Sequence, residues 1–395
     1  MNVKMAALES VTSFADTILA QGGDISSKLD MLRQEKFPPN AQKTLRQFSL
    51  AEVADFVGVS QSYLKKLHLQ GKGVEPTTTS TGRRYYTAVQ VNELRQLLDR
   101  VPHRQAHEKL QVIAVVNFKG GSGKTTTSAH LAQFLALKGY RVLAVDLDPQ
   151  ASLTALYGIQ PELDEKKSFY EALRYDDQRK SIKDVIQPTN FPNLDVVPAN
   201  LELQEYEYDT PIAMQRKDSN AGKLFYTRIG DALAEVDDQY DVVVVDCPPQ
   251  LGYLTLTALT AATSVLITVH PQMLDIMSMS QFLLMLGEIL KSVESVGVDV
   301  SLDWFRYLVT RYEPTDIPQQ QMVGFMQSMF AQQMMKNHMV KSTAVSDAGL
   351  TKQSLYEVER AQFTASTYDR ARESMDAVNN EVIELLQMAW GRRHA

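Results

Sequence analysis

Cysteine is almost absent from this sequence: among 395 residues there is one, Cys247. A lone thiol excludes an internal disulfide and a cysteine-rich metal or iron–sulfur site within one chain, and it suits a reducing cytoplasm. No uninterrupted apolar run approaches the ~20 residues of a membrane-spanning helix. No basic-then-apolar leader opens the chain, so secretion is not expected. Internal repeats and long low-complexity tracts are missing as well, so a repeat architecture is not expected. What is left is globular in character, with 44% hydrophobic and 22% charged residues, and long enough for two or three domains. The net charge of -7 is unevenly spread. Between residues 43 and 84, Lys43, Arg46, Lys65, Lys66, Lys72, Arg83 and Arg84 face only Glu52, Asp55 and Glu75. A basic module on an acidic chain points to a polyanion partner, or to no more than a solvated charged surface.

Three segments follow from periodicity. Over residues 5–33, Met5, Leu8, Val11, Phe14, Ile18 and Leu19 recur at helical spacing. Gly22 and Gly23 are expected to interrupt that helix, Ile25, Leu29 and Leu32 to resume it, and Pro38-Pro39-Asn40 to end it. Such an arm has no core of its own, and a second copy is one candidate to cover it. Residues 43–107 read as a compact helical module and linker. Ser49-Leu50-Ala51-Glu52 is a capping box, Gly58 ends the helix it opens, and Ser60 caps a second helix reaching Leu69. A polar turn leads to Arg83-Arg84-Tyr85-Tyr86, then a third helix carries Val89, Val91, Leu94 and Leu97; residues 101–110 read as a linker. From residue 108 to 395 strands alternate with helices: Val112–Val116, Val142–Val145, Val242–Val245, Val265–Val269 and Tyr307–Val309 are short β-branched runs. The expected fold is α/β, a mostly parallel P-loop NTPase sheet flanked by helices, preceded by an all-α arm and a winged helix-turn-helix.

The chemistry concentrates after the first of these strands. Lys119-Gly120-Gly121-Ser122-Gly123-Lys124-Thr125-Thr126 joins it to a helix spanning Lys124–Lys138. Glycines let backbone N–H groups turn inward on phosphates, and the helix N-terminus faces the same charge. Lys124 reaches the β/γ-phosphates in such a loop, and the Thr125 hydroxyl binds Mg²⁺. The strict eight-residue pattern is not met, because Phe118 stands where its first glycine belongs and Lys119 is an extra lysine. Two further strands end in acids, Asp146 and Asp148 in one case and Asp246 in the other. At the carboxyl edge of a parallel sheet these lie beside the phosphate loop.

These motifs, with the Val-rich strand ending Asp246-Cys247-Pro248-Pro249, resemble the deviant Walker A ATPases, and among them the ParA-type partition ATPases, over about residues 110–390. The resemblance implies ATP/ADP and Mg²⁺ as cofactors. It implies that Lys119 reaches across a nucleotide-sandwich homodimer, that Asp148 orients the hydrolytic water, and that Thr125, Asp146 and Asp246 serve Mg²⁺. It leaves Cys247 a buried filler. Thr310 and Arg311, after a strand, are candidates for the adenine pocket. Nitrogenase-type iron proteins are excluded by the missing cluster cysteines. MinD-type membrane binding is not expected, because the last helix carries Glu381 and Glu384 on its polar face, where membrane-surface helices favour Lys and Arg.

The basic module resembles a MerR-like winged helix-turn-helix. Its second helix offers Gln61, Ser62, Tyr63, Lys65 and Lys66 to a major groove, and Arg83 and Arg84 form the wing. Lys341, Arg370 and Arg372 match, in part, the positions where ParA relatives touch DNA without sequence preference. The combination resembles the larger plasmid-type partition ATPases. It implies a cytoplasmic, nucleoid-associated protein that binds operator and non-specific DNA, answers to a ParB-like centromere-binding protein and represses its own operon. A repressor using nucleotide only as an effector is the alternative, and Asp148 separates the two, since a pure sensor needs no water-positioning acid.

Overall fold

Strands buried on both faces need apolar side chains at every position, and the valine-rich runs supply them. The computed structural model describes residues 13–36, 43–160, 168–215 and 225–392. In chain order its elements are α1 (Phe14–Lys36), β1 (Phe48–Ser49), α2 (Leu50–Val57), α3 (Gln61–Leu69), β2 (Thr77–Thr78), β3 (Arg84–Tyr86) and α4 (Ala88–Leu97). Then come β4 (Gln111–Val116), α5 (Lys124–Lys138), β5 (Val142–Asp146), α6 (Ser152–Leu156), α7 (Tyr170–Leu173), β6 (Gln187–Pro188), β7 (Leu194–Val197), α8 (Glu205–Gln215) and α9 (Arg228–Ala234). The chain continues with β8 (Val242–Asp246), α10 (Tyr253–Ala261), β9 (Ser264–Val269), α11 (Met273–Ser295), β10 (Trp304–Val309), α12 (Ile317–Phe330), α13 (Thr343–Leu350) and α14 (Ala365–Ala389).

The large sheet has seven strands in the order β10-β9-β4-β8-β5-β7-β6, all parallel except the edge strand β6. Strands β4, β5, β8 and β9 are buried throughout. One face packs Ile113, Val115 and Val244 under Leu131 and Leu135 of α5 and Val382 and Leu386 of α14. The other packs Ala114, Val243 and Val245 under Leu254 of α10 and Phe282 of α11. The loops after β4, β5 and β8 meet at the carboxyl edge, the place for a ligand in an open parallel sheet. Strands β6 and β7 are additions to the sequence reading. Helix α11 departs from it, being long and apolar enough by composition to cross a membrane. Its Ile276, Met279, Phe282 and Leu286 are buried, and Phe282 stacks on Phe118 at 5.3 Å, so α11 packs one face on the core and leaves an apolar outer face.

The helix-turn-helix forms with the boundaries its caps dictate. Ser49 and Glu52 complete a reciprocal capping box, Gly58 caps α2, and the Ser60 hydroxyl accepts from Tyr63 N. Strands β1, β3 and β2 make a small antiparallel sheet carrying the wing. Phe56, Val57 and Leu94 share one apolar cluster with Leu137 and Tyr140, so module and sheet domain have a continuous core within the unit 44–395. The expected linker is likewise anchored. Arg104 donates to the carbonyls of Tyr240 and Glu108, and Glu108 pairs with Arg392 at 2.6 Å.

Residues 1–43 form a separate unit. Its helix α1 runs without a break through Gly22 and Gly23, against the expected interruption. Neither glycine takes the positive φ that ends helices, so they only lower helix propensity, by roughly 1 kcal/mol each. Phe14, Ile18, Leu19 and Ile25 on α1 are exposed. Met5, Leu8, Val11 and the Pro38-Pro39-Asn40 stop lie outside the described residues.

Candidate functional site

The loop between β4 and α5 is built on backbone that only glycine adopts readily: Gly121 and Gly123 sit at φ +75° and +85°. Asn117 holds its base, donating to the Thr268 carbonyl and accepting from Lys119 N at 2.9 Å. Ser122 shares a hydrogen bond with Thr268 at 3.0 Å, and the Thr310 hydroxyl donates to the Ser122 carbonyl at 2.7 Å. Arg311, a non-glycine residue at φ +52°, donates to the Gly121 carbonyl at 3.0 Å. Left-handed backbone at such a residue is strain of the kind that gathers at ligand sites.

The loop opens on a cleft of about 590 Å³. Gly120, Gly121, Gly123, Lys124, Thr125 and Thr126 form its floor, Asp148 one wall, and Thr310 with Arg311 another. Met339, Val345 and Met375 add an apolar wall that sequence reading missed, because they come from three separate elements. Lys124 is buried, and its amine donates to the Lys119 carbonyl at 3.3 Å. Burial lowers its pKa, and the charges of Asp246 and Asp148 oppose that shift.

The acids divide by environment. Asp246 is fully buried, accepts from Ser128 at 3.2 Å, lies near Thr125, and has one oxygen, Oδ2, without a partner. Burial raises its pKa. An orphaned carboxylate oxygen beside a threonine hydroxyl and phosphate-facing amides fits a hard cation such as Mg²⁺. Among the described residues no three His, Cys, Asp or Glu side chains could hold a metal by themselves, so a cation here would draw further oxygens from phosphate or water. Asp146 is buried too, but both its oxygens are used: Oδ1 accepts from Asp148 N at 3.2 Å, and Oδ2 accepts from Thr154 N at 2.8 Å and the Thr154 hydroxyl at 2.7 Å. Burial, then the Asp246 charge, raises its pKa. Its visible work is to fix the loop that carries Asp148, which stays partly exposed on the cleft wall. Cys247 is buried, and burial pushes its thiol up, away from reactivity.

Lys119 does not enter this pocket lining. Its half-exposed amine pairs with Asp275, a buried acid in the first turn of α11 that also lies 3.4 Å from His270. The sequence signal for Asp275 was only its place just after a strand end.

On the helix-turn-helix, Gln61, Ser62, Tyr63, Lys65, Lys66 and Arg83 are exposed, and Arg84 is partly so. A second hollow of about 440 Å³ lies between α3 and the wing, lined by Lys65, Arg83 and Arg84. Lys341 is exposed at the cleft rim and pairs with Glu313 at 2.8 Å; exposed Arg370 lies beside it, donating to its carbonyl at 3.4 Å. Arg372 overturns its expectation as a DNA contact. Its side chain is 11% exposed, pairs with Asp376 at 3.0 Å and lies 4.2 Å over the Tyr356 ring. Three residues from a buried Met375, it falls on the inner face of α14.

Comparison with known proteins agrees with this geometry. Residues 110–296 match the AAA domain family, and residues 48–98 match the MerR HTH family of regulatory proteins. The chain is 69% identical over 389 residues, 96% of each chain, to a Sinorhizobium fredii protein named as a candidate replication protein A. It is 33% identical to Protein SopA of Escherichia coli strain K12 over 282 residues, 69% of this chain and 71% of that one. Among solved structures, one titled as a partition protein aligns with TM-score 0.61 and 18% identity, covering 95% of this chain and 99% of the other. A Mycobacterium smegmatis cobyrinic acid a,c-diamide synthase with bound ADP and magnesium aligns with TM-score 0.50 and 28% identity, over 62% of this chain and 91% of its own.

Proposed function

Since the chain belongs to the ParA/Soj/SopA-type partition ATPases as a replication-protein-A-like member, we propose that it segregates plasmid DNA, hydrolysing ATP with Mg²⁺ as a nucleotide-sandwich homodimer. In this reading it works in the cytoplasm on the nucleoid, binds DNA in its ATP form and is stimulated by a ParB-like centromere-binding protein. Its helix-turn-helix, through Gln61, Ser62, Tyr63, Lys65, Lys66, Arg83 and Arg84, represses its own operon. The apolar outer face of α1 is the further dimer contact. Domain limits follow: arm 1–42, DNA module and linker 43–107, ATPase 108–395.

Within each site the backbone of Gly120–Gly123 and the Lys124 amine hold the phosphates. Thr125 and Asp246 would hold Mg²⁺, which would supply charge neutralisation when bound. Asp148 orients the attacking water, which favours hydrolysis over a sensor-only role. Lys341 and Arg370 remain as the exposed pair for non-specific DNA contact.

The observation that carries this reading is the division of labour between two lysines: Lys124 lies over the loop floor, whereas Lys119 points out of it to Asp275 at a half-exposed position. An outward lysine can serve a facing subunit's phosphates by exchanging Asp275 for them. The test mixes Lys119→Ala with Asp148→Ala protein, each inactive alone. In a two-fold dimer with random exchange, half the dimers are mixed and each has one intact composite site, so about a quarter of wild-type turnover returns. No recovery, while both variants still bind ATP, refutes the cross-subunit lysine and the sandwich dimer with it.

A further inference from the structure

Arg95 of α4 is 1% exposed and pairs with no carboxylate among the described residues. A buried cation without a counter-charge is expensive unless oriented dipoles replace it. Its Nη2 donates to the Leu137 carbonyl at 2.5 Å and to the Phe56 carbonyl at 3.3 Å, and its Nη1 donates to Asn92 at 2.6 Å. Phe56 is in the last turn of α2, and Leu137 in the last turn of α5. One guanidinium thus sits at the negative ends of two helix dipoles, one from the DNA module and one from the phosphate-loop helix. The fit is close: a Cβ on Gly139 would come within 2.6 Å of the Arg95 side chain.

Other contacts bind the same bodies. Lys138 pairs with Asp55 at 2.9 Å. Arg46 donates to the Tyr356 carbonyl at 3.0 Å and to Glu52, the acid of the α2 capping box, at 2.5 Å. The segment of Tyr356 is itself tied to α5, because His130 Nε2 accepts from Leu355 N at 3.2 Å. The other nitrogen of His130 bonds the Thr126 carbonyl at 2.7 Å, in the floor of the nucleotide cleft. Helix α5 therefore touches the cleft at one end and the helix-turn-helix at the other, and its 15 residues span about 22 Å as a rigid rod.

We propose that Arg95 is a positioning residue that makes α5 and the helix-turn-helix move as one lever, so that nucleotide at the N-terminus of α5 sets the placement of α2 and α3 for DNA. The inference rests on the nucleotide and DNA readings above. It is tested on the full chain by amide hydrogen exchange with and without ADP. In the wild type, ADP slows exchange over residues 119–127 and also over residues 50–69. In Arg95→Met, which keeps the stem and removes the guanidinium, the effect at 119–127 persists and the effect at 50–69 is lost. Arg95→Lys, with one point donor, restores it in part. A merely structural arginine would change exchange at 50–69 equally with and without ADP. Lys138→Met, at a more exposed pair, is the second variant should Arg95→Met fail to fold, and it weakens the distant effect. Protection at 119–127 with none at 50–69 in the wild type overturns the lever alone. An undiminished distant effect in Arg95→Met does the same. No protection at 119–127 takes down the nucleotide reading and the lever together. Where the lever holds, ADP and operator DNA must change each other's affinity by one common factor, expected at about fivefold or more.

Discussion

Replacing Asp246 by Asn should make the empty protein more stable at pH 8, by less at pH 5, with the gain vanishing only below the ordinary aspartate range. Asp146 and Asp246 are register partners on adjacent strands, both completely buried. Burial raises both pKa values, and the Asp246 charge raises that of Asp146 further. The folded chain therefore holds protons here at pH values where the unfolded chain has released them. Folding loses stability as pH rises from the ordinary aspartate range through the raised range of the pair. Two unit charges one strand spacing apart, ~4.8 Å, repel by roughly 3 kcal/mol at an effective dielectric of ~20. Asparagine removes that repulsion but also the charge facing Lys124, so the net gain is about 1–3 kcal/mol, or about 2–5 °C in Tm. Thermal unfolding in chelator, with wild type and variant at both pH values, measures it. Added Mg²⁺ and ADP should then raise the wild-type Tm and leave that of the variant nearly still. A variant less stable than wild type at pH 8 would refute the idea that this acid is held under strain for a cation.

Asp148→Ala should keep ATP binding and lose phosphate release, because the acid acts on the water and not on the ground-state phosphates; normal turnover removes its role. Lys65→Ala with Lys66→Ala should abolish protection of the region upstream of its own operon in a footprint at moderate salt, and unchanged protection moves recognition off α3. Arg372→Ala should cost about 1–2 kcal/mol, seen in the denaturant midpoint, by leaving the partly buried Asp376 without its cation; lost DNA binding at unchanged stability would restore the surface role.

Signals that act over a few residues were legible in the sequence. The limits of α5 are given by a glycine at each end, and those of α2 by Ser49, Glu52 and Gly58. Strand ends were legible at the site because two of them terminate in acids. Orientation was not. Arg370 and Arg372 are two residues apart on one helix, about 200° of turn, so one faces water and the other faces Tyr356. Asp275 and Arg95 acquire their meaning from segments about 40 residues away or farther, and no local pattern records such a meeting. Gly22 and Gly23 misled because glycine permits a break without requiring one.

The continuous core has a consequence for how such proteins can be recombined. A DNA reader attached by a flexible tether can be exchanged between relatives like a cartridge. Here the reader's underside includes Phe56, Val57 and the Arg95 guanidinium, and its socket includes Leu137, Gly139 and Tyr356. A graft cut near residue 107 would carry the plug without the socket. A chimera meant to read a new operator should leave the buried faces of α2 and α4 native and change only the outward positions of α3 and the wing. By the same logic, the DNA-facing residues can diversify on that outer surface while the seam beneath it stays fixed.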